Sequence, residues 1–541
     1  METQIEKLSQ WIADFTIKQV PEPTLEKARL QVLDCVASIC AGSRSVAGKK
    51  IYQALLKLSP GQGEHRILHS GESWSLENAV YLHAALINAL ELDNFCYMGH
   101  LSQSAFSVAL AVSEKTKATN NDFLESLICA EEISGRMSAY MASGRLQGHM
   151  RSFIHRVGAA VATVKLYKCS RQVIANAIAI SLSSPELPMY PSSFSPDTKI
   201  TSVCSATVEG MRSAFLAMEG FDATRDIIEH PAGFVKIFSH LKQVPDFWHS
   251  LGKTWVMDSI SFKYYPSCAH SQGAVNAVLI AIGSNNILSK DIREIHLHCP
   301  VVTLVMEEFS VPHHGSGLTQ VNINFSTKKS VCAAILSGGF DGSFFAEGAI
   351  EKYYEQIVDL SDKVFIHHSW KLTIDLIMGL DACMENPGYP GVLDFGNSDN
   401  TLKYLKKVYR NRTLFELSEL SGLFRLPKGY LKYLIKRALK SYTGKIGLSK
   451  LRSAETDLSK LQFKIGTIAE IHTNSGEVLT GICEVPKGFA GDPDQKLRAI
   501  EKFQRECKPV LGDEYTARLL NYILAEGFPV IRGEMACIRY L

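Results

Sequence analysis

Apolar residues recur at steps of three and four positions along most of residues 1–258, which is the spacing of helices with one buried face. In residues 5–42 two such stretches are separated by Pro21 and Pro23, which predicts a helical hairpin. The further predicted helices are 76–90, 104–117, 121–141, 171–183, one beginning at Gly158 and one opened by Asp197. Residues 1–258 are therefore predicted to form an all-helical domain.

The pattern changes at Ser259, after which apolar and polar residues alternate in short stretches, as in half-buried strands. The predicted strands are 260–265, 292–299, 318–325, 463–473 and 477–485, the last two forming a hairpin around Asn474-Ser475-Gly476. The predicted helices are 272–282, 330–337, 496–507 and 513–524. The predicted fold class is therefore mainly α, with residues 259–490 as an inserted α+β lid domain and residues 491–541 returning to the helical domain.

A basic helical insertion is predicted within the lid, at about residues 380–460. Residues 401–460 contain fifteen Lys and Arg and four Asp and Glu, whereas the whole chain has a formal net charge of +2. Such a run usually forms a solvated helix face. The alternative is a docking surface for an acidic protein partner, such as a carrier protein, or for anionic lipid. Nucleic acid is the least favoured ligand, because no nucleic-acid motif is present.

The composition argues against several classes of protein. The thirteen cysteines are odd in number, scattered and without a Cys-x-x-Cys pair, which argues against a disulfide framework and a zinc site. No stretch reaches the roughly 18 consecutive apolar residues of a membrane helix, and the chain does not start with an apolar signal region. The sequence therefore predicts a soluble, cytoplasmic protein with no membrane span.

The stretch from Leu90 to Ser104 carries the strongest candidate chemistry. Glu91 and Asp93 precede a Gly-His step that ends at His100, and long helical patterns flank the stretch on both sides. A carboxylate and an imidazole brought together between buried helices have altered pKa values, as acid and base catalysis requires. A polar corner between two helices, without chemistry, explains the same residues equally well.

Several motifs, none of them specific alone, occur in an order that resembles the MmgE/PrpD family. They cover most of residues 5–340 and 463–525. They are Leu33 to Gly42, Asn88 to Asn94 with Gly99-His100, Gly148-His149 nine residues before Gly158, Asp197-Thr198-Lys199, His230 to Phe234, Lys263 to Cys268, Asn324-Phe325-Ser326, and Thr473 to Gly476 with Pro486-Lys487-Gly488.

This family includes 2-methylcitrate dehydratase, cis-aconitate decarboxylase and an iminodisuccinate epimerase. The resemblance implies a helical domain, an α+β lid, a cleft between them and a homodimer, with no metal or organic cofactor. It also implies proton abstraction or delivery beside a carboxylate. The expected activity is that of a lyase, a dehydratase or decarboxylase, on a small carboxylate or acyl substrate.

The resemblance places Asp93, His100, His149 and Lys199 in the cleft as catalytic residues. Asp93 and His100 are expected to be the base and the residue that orients it, and His149 a proton donor or carboxylate contact. Lys199 and Lys263 are expected to clamp the substrate's anionic groups. The expected substrate-binding residues are Lys263, His270, Gln272, Lys329 and Arg151. The competing interpretation is that these His are satisfied core residues and these Lys are solvated.

The sequence departs from the family pattern at several of these positions. Gln272 stands where the lid usually supplies a His, although His270 lies two residues before it. Lys329 stands where Tyr is frequent, Asn94 replaces a usual Asp and Arg151 a usual Thr. Together with the basic insertion, these departures favour a specialised member of the family, acting in a biosynthetic pathway on an unusual substrate.

Two other functions fit the same sequence. The first is an isomerase or cyclase on the same fold, in which a proton moves and no group is lost. The second is a non-catalytic scaffold that descends from the enzyme and uses its basic segment to bind a partner. A nucleophile pair of Cys268 and His270 is disfavoured, because side chains two residues apart share a face only on a strand.

Overall fold

The structure is a computed structural model that describes most of the chain. The described residues are 2–59, 63–97, 99–140, 152–186, 192, 194, 197–238, 244, 248, 250–283, 287–310, 317–383, 429–430, 432 and 457–527. They are mainly helical, with a few small sheets, so the predicted fold class, mainly α with a smaller α+β part, is confirmed.

The helices of the described residues are α1 (Gln4–Asp14), α2 (Glu22–Arg44), α3 (Val46–Leu58), α4 (Leu76–Asn88), α5 (Ser102–Thr116), α6 (Asn120–Tyr140), α7 (Ser152–Leu166), α8 (Arg171–Ser183), α9 (Thr198–Thr201), α10 (Cys204–Met218), α11 (Phe234–Phe238), α12 (Gln272–Ile282), α13 (Val301–Phe309), α14 (Gln320–Phe325), α15 (Thr327–Ser337), α16 (Ala349–Ser361), α17 (Trp370–Asp381), α18 (Gln495–Leu511) and α19 (Asp513–Glu526). The strands are β1 (His65–Arg66), β2 (Ser73–Trp74), β3 (Phe95–Cys96), β4 (Ile260–Ser261), β5 (Ile292–Cys299), β6 (Val364–His368), β7 (Thr467–Thr473) and β8 (Val478–Cys483).

Helix α7 lies at the centre of the helical part, in contact with α5, α6, α8 and α10. Small residues allow this close packing, since a side chain on Gly210 of α10 would place its Cβ 2.1 Å from the carbonyl oxygen of Arg156. The sequence predicted that α7 begins at Gly158, but it begins six residues earlier, at Ser152. His155 and Arg156 are therefore helical and buried instead of lying in a loop.

A four-stranded sheet with the order β6-β5-β7-β8 forms the centre of the α+β part. Strands β5 and β6 are parallel, whereas β5 with β7 and β7 with β8 are antiparallel. The hairpin that the sequence predicted is present, and Gly476 turns it with a φ of +90°. Helix α12 packs on β7 and β8 and buries alternate residues, such as Ala469 and Ile471.

Two strand predictions in this part of the chain are wrong. The strand predicted at 260–265 is reduced to Ile260–Ser261, which pairs antiparallel with Phe95–Cys96. The strand predicted at 318–325 is the helix α14, because Thr319 caps it by accepting a hydrogen bond from the backbone N–H of Asn322 at 3.2 Å. The hydrophobic pattern did not predict β6 or the helices α13, α16 and α17.

The C-terminal helix α18 packs against α2, and residues of α18 and α19 join the hydrophobic core of the helical part. The predicted boundaries of three domains stay predictions. Most of the basic segment, including nearly all of residues 401–456, lies outside the described residues. Within the described part, Tyr430 donates a hydrogen bond to Asp375 Oδ1 at 2.6 Å.

The twelve cysteines that the structure describes are all free. In the described ranges, no helix has both the length and the apolar character needed to cross a membrane.

Candidate functional site

The candidate site is built on the connection between α4 and α5, of which residues 89–97 and 99–101 are described. Glu91 has a φ of +53°, a left-handed conformation that is uncommon for any residue other than glycine. Helix α14 holds this part of the segment, because Gln320 and Asn324 donate side-chain hydrogen bonds to the carbonyl oxygens of Ala89 (2.7 Å) and Leu90 (3.2 Å). The strained conformation is therefore fixed by contacts from a distant part of the chain.

Asp93 and His100 are in direct contact on this segment. His100 Nδ1 lies 2.5 Å from Asp93 Oδ2, and Gln103 Nε2 donates to the same oxygen at 2.8 Å. Lys263 Nζ donates to the other oxygen, Asp93 Oδ1, at 3.2 Å. Gln103 and Lys263 donate these hydrogen bonds, so Asp93 acts as an acceptor through both of its carboxyl oxygens. It therefore fixes the Nδ1–H tautomer of His100 and leaves the lone pair on Nε2.

Two buried lysines converge on Glu91 from different elements. Lys263, which follows β4, donates to Glu91 Oε2 at 2.8 Å, and Lys199 of α9 forms an ion pair with Glu91 Oε1. Lys199 also donates to the carbonyl oxygen (3.1 Å) and to Oδ1 (2.8 Å) of Asn88. The side chains of Glu91, Lys199 and Lys263 are at most 4% exposed, so this charge cluster is shielded from water.

Burial controls the protonation of several groups around the cluster. It lowers the pKa of Lys199 well below its ordinary value, and the neighbouring Lys263 acts in the same direction. It also lowers the pKa of His270 to about 4, with a smaller effect of Lys263, and raises the pKa of the Cys268 thiol. The Nδ1 atom of His270 is buried and has no hydrogen-bond partner among the described residues. Because a nucleophilic cysteine must be a thiolate, this environment disfavours the Cys268–His270 pair.

The sequence-predicted residue Gln272 supports the backbone beside Lys263. Its Nε2 atom donates to the carbonyl oxygens of Tyr265 (2.7 Å) and Ser267 (2.9 Å) and to the Ser267 hydroxyl (2.9 Å). Its Oε1 atom accepts from the backbone N–H groups of Tyr264 (3.2 Å) and Tyr265 (3.1 Å). These hydrogen bonds occupy the amide fully, so Gln272 fixes the turn that follows Lys263.

The other sequence-predicted residues lie elsewhere. Lys329 lies at the start of α15. Burial lowers the pKa of Lys329, and the nearby Glu307 carboxylate acts in the opposite direction. His149 and Arg151 lie outside the described residues. The structure thus brings Asp93, His100, Lys199 and Lys263 together. The functional roles expected for these residues stay predictions.

Sequence reasoning missed three groups that complete the site. Gln103 contacts Asp93, Asn88 contacts Lys199, and His155 lies near His100 and Asp93, whose charges act on its ring. Gln103 could have been identified, because it lies in the Leu90 to Ser104 stretch, three positions after His100. Asn88 begins one of the family-like motifs, but its contact with Lys199 and the position of His155 depend on tertiary packing.

The arrangement provides an oriented imidazole, two buried lysine side chains and two acidic side chains in a shielded space. This set suits proton transfer beside an anionic group. Within the described residues, no group of three or more His, Cys, Asp and Glu is arranged to hold a metal ion.

Comparisons with known proteins agree with this chemistry. Residues 6–245 match the MmgE/PrpD N-terminal domain. The chain is similar to cis-aconitate decarboxylase of Homo sapiens, at 24% identity over 308 residues that cover 54% of this chain and 61% of the human protein. Its identity to cis-aconitate decarboxylase of Aspergillus terreus is 23% over 289 residues, which cover 50% of this chain and 59% of the fungal protein. The chain therefore spans about six tenths of the length of the curated relatives it matches.

Proposed function

From the match of residues 6–245 to the MmgE/PrpD N-terminal domain, we propose that the chain is a member of this family and a lyase, a dehydratase or decarboxylase, acting on a carboxylate-bearing substrate. The side chains of the protein carry out the proton transfer without a metal or organic cofactor. The reaction takes place in a cleft between the helical part and a lid formed by residues 259–490.

The contact of Lys263 with both Glu91 and Asp93 is the observation that carries this proposal. An ammonium group has three N–H donors, and Lys263 uses two of them on these carboxylates, at 2.8 and 3.2 Å. Lys199 donates to two oxygen atoms of Asn88 and forms an ion pair with Glu91. The third donor of Lys263 therefore binds the substrate carboxylate, while Lys199 holds Glu91 in place.

His100 is the proton-transfer group in this proposal, and Asp93, which the family resemblance led us to expect as the base, orients it. Its Nδ1–H is held by Asp93, so Nε2 accepts a proton from the carbon next to the substrate carboxylate. The negative charge that develops on the resulting enolate is stabilised by the Lys263 ammonium. In a dehydration the enolate then expels the hydroxyl group of the neighbouring carbon, which leaves as water with the proton that His100 has accepted. In a decarboxylation, the protonated His100 instead delivers its proton to the carbanion that remains when carbon dioxide leaves.

A mass-spectrometric screen of di- and tricarboxylates and of carrier-bound acyl acids tests the proposal. The purified protein is expected to convert at least one of them with loss of water or of carbon dioxide. Lys263→Met is expected to lower kcat/KM by about 100-fold or more, because one buried charge contact to the substrate is lost. The matched control is Lys57→Met, at an exposed lysine. An unchanged product mass would indicate an isomerase instead, and full activity of Lys263→Met would refute the proposed site.

The family resemblance also supports a homodimer located in the cytoplasm. The divergent residues Gln272 and Lys329 support a specialised biosynthetic role. We also propose that the basic residues 401–460 bind an acidic protein partner.

A further inference from the structure

His155 is a buried imidazole that the expected catalytic set does not include. It lies on α7, it is fully buried, and it is close to His100 and Asp93. Burial lowers the pKa of His155 to about 3, and repulsion from His100 adds to this effect. The ring is therefore neutral at physiological pH.

The hydrogen bonds of Ser104 fix the tautomer of this ring. The Ser104 hydroxyl lies 3.1 Å from His155 Nδ1 and also 3.1 Å from the carbonyl oxygen of Leu101. A carbonyl oxygen can only accept, so the single hydroxyl proton of Ser104 is donated to Leu101. Ser104 then accepts from His155, which places the proton on Nδ1 and the lone pair on Nε2.

The Nε2 atom of His155 is buried and has no hydrogen-bond partner among the described residues. Buried acceptors in folded proteins are nearly always paired, so an orphaned one beside a reaction site calls for a partner that arrives with the ligand. Because this nitrogen carries a lone pair and the ring stays neutral, the partner must be a hydrogen-bond donor.

We propose that His155 is a specificity-determining residue, whose Nε2 accepts a hydrogen bond from a hydroxyl or amino group that the substrate carries beside its carboxylate. This inference rests on the proposed function, because the same substrate binds Lys263 through that carboxylate. The site then distinguishes hydroxy or amino carboxylates from the corresponding carboxylates without a donor. A missing donor leaves Nε2 unpaired in the complex, and sites of this kind discriminate strongly.

Calorimetric titration with matched acids tests the inference. The probes are malate and aspartate against succinate, and citrate against propane-1,2,3-tricarboxylate. The wild-type protein is expected to bind the donor-bearing member of at least one pair about tenfold or more tightly, the effect of one buried hydrogen bond. In His155→Phe this ratio is expected to fall to about one, while the affinity for the acid without a donor is unchanged.

Two variants separate this role from a structural one. His155→Gln places an amide oxygen near the position of Nε2 and is expected to restore part of the preference. His83→Gln changes another fully buried histidine, on α4, and is expected to leave the ratio unchanged. If His155→Phe does not fold, His155→Met replaces it in the same titration.

The outcomes distinguish the inference from the proposed function. Equal wild-type affinity for both members of every pair, with binding lost in Lys263→Met, overturns the role of His155 and leaves the lyase proposal in place. An unchanged ratio in His155→Phe also overturns that role. If the wild-type protein binds none of the acids, the carboxylate site and the inference fail together.

Discussion

At the scale of single residues, the contacts of Asp93 determine what His100 can do. The carboxylate accepts from His100 Nδ1 (2.5 Å), Gln103 (2.8 Å) and Lys263 (3.2 Å). The family resemblance predicted the pairing of Asp93 with His100, which are seven positions apart. It could not show Lys263 joining them, since that contact spans 170 positions and depends on the fold.

Asp93→Asn tests this arrangement at the residue that orients the proposed base. An asparagine can donate to His100 Nδ1, which favours the wrong tautomer and removes the lone pair from Nε2. We expect kcat to fall by about 100-fold or more with a small change in KM. Steady-state kinetics with the substrate found in the screen measures both constants. Asp359→Asn, at an exposed aspartate, is the comparison, and a loss of affinity alone in Asp93→Asn would assign Asp93 to binding.

At the scale of elements, the sequence predicted most helices and the β7–β8 hairpin but not the segments that hold the site. Long amphipathic stretches such as 171–183 are specified locally, so their limits could be predicted. Residues 318–325 alternate as a strand would, yet they form α14, where Gln320 and Asn324 bind the carbonyl oxygens of Ala89 and Leu90. The positions of Gln320 and Asn324 in this helix depend on their hydrogen-bond partners in a distant part of the chain. The spacing of apolar residues gives no information about such partners.

The turn after Lys263 gives a prediction at this scale. Gln272→Ala removes the amide that binds the backbone of Tyr264, Tyr265 and Ser267 and leaves those buried groups unpaired. We expect the free energy of unfolding to fall by about 1–3 kcal/mol, and KM to rise because Lys263 loses its support. Urea denaturation and kinetics measure the two effects. Gln495→Ala is the control, since Gln495 also binds backbone carbonyls, those of Ile260 and Gly488, but is partly exposed. Unchanged stability of Gln272→Ala would show that the turn is held by other contacts.

The contact between α2 and α6 provides a pH-dependent prediction. Burial raises the pKa of Glu131 to about 7, although Gln31 donates to its carboxylate at 2.6 Å. Between about pH 4.5 and pH 7 the folded protein binds a proton on Glu131 that the unfolded chain has released. This contribution to stability is present at low pH and decreases as the pH rises to 7, by up to about 1.4 kcal/mol per pH unit. Glu131→Gln is expected to remove this dependence, so its stability relative to the wild type should be greater at pH 8 than at pH 5.5. A constant difference between the two proteins across that range would contradict the raised pKa.

At the scale of the whole molecule, helix α18 holds the backbone beside Asp93 through a buried lysine. Lys502 donates to Asp34 Oδ1 at 2.6 Å, across 468 positions of sequence, and also to the carbonyl oxygen of Leu92, next to Asp93. Asp34 accepts in turn from Asn94 at 3.0 Å. The sequence indicated that the last helices return to the helical domain, but not that one of their lysines lies beneath the proposed active site.

The buried pair of Lys502 and Asp34 can be tested by its effect on stability. Removing one charge of the pair should destabilise the protein more than replacing both residues with apolar ones. Lys502→Met leaves Asp34 buried without its charged partner and is expected to lower the free energy of unfolding by about 3–5 kcal/mol. The double variant Lys502→Met with Asp34→Leu removes both charges, so it should recover much of that loss. The exposed pair of Lys496 and Glu26 is the control, and Lys496→Met should change stability by less than about 1 kcal/mol. If the pair also positions Asp93, the double variant should remain low in kcat despite its regained stability, because the hydrogen bond to Leu92 is absent. If both the stability and the kcat of the double variant recover, Lys502 contributes to stability alone and does not position Asp93.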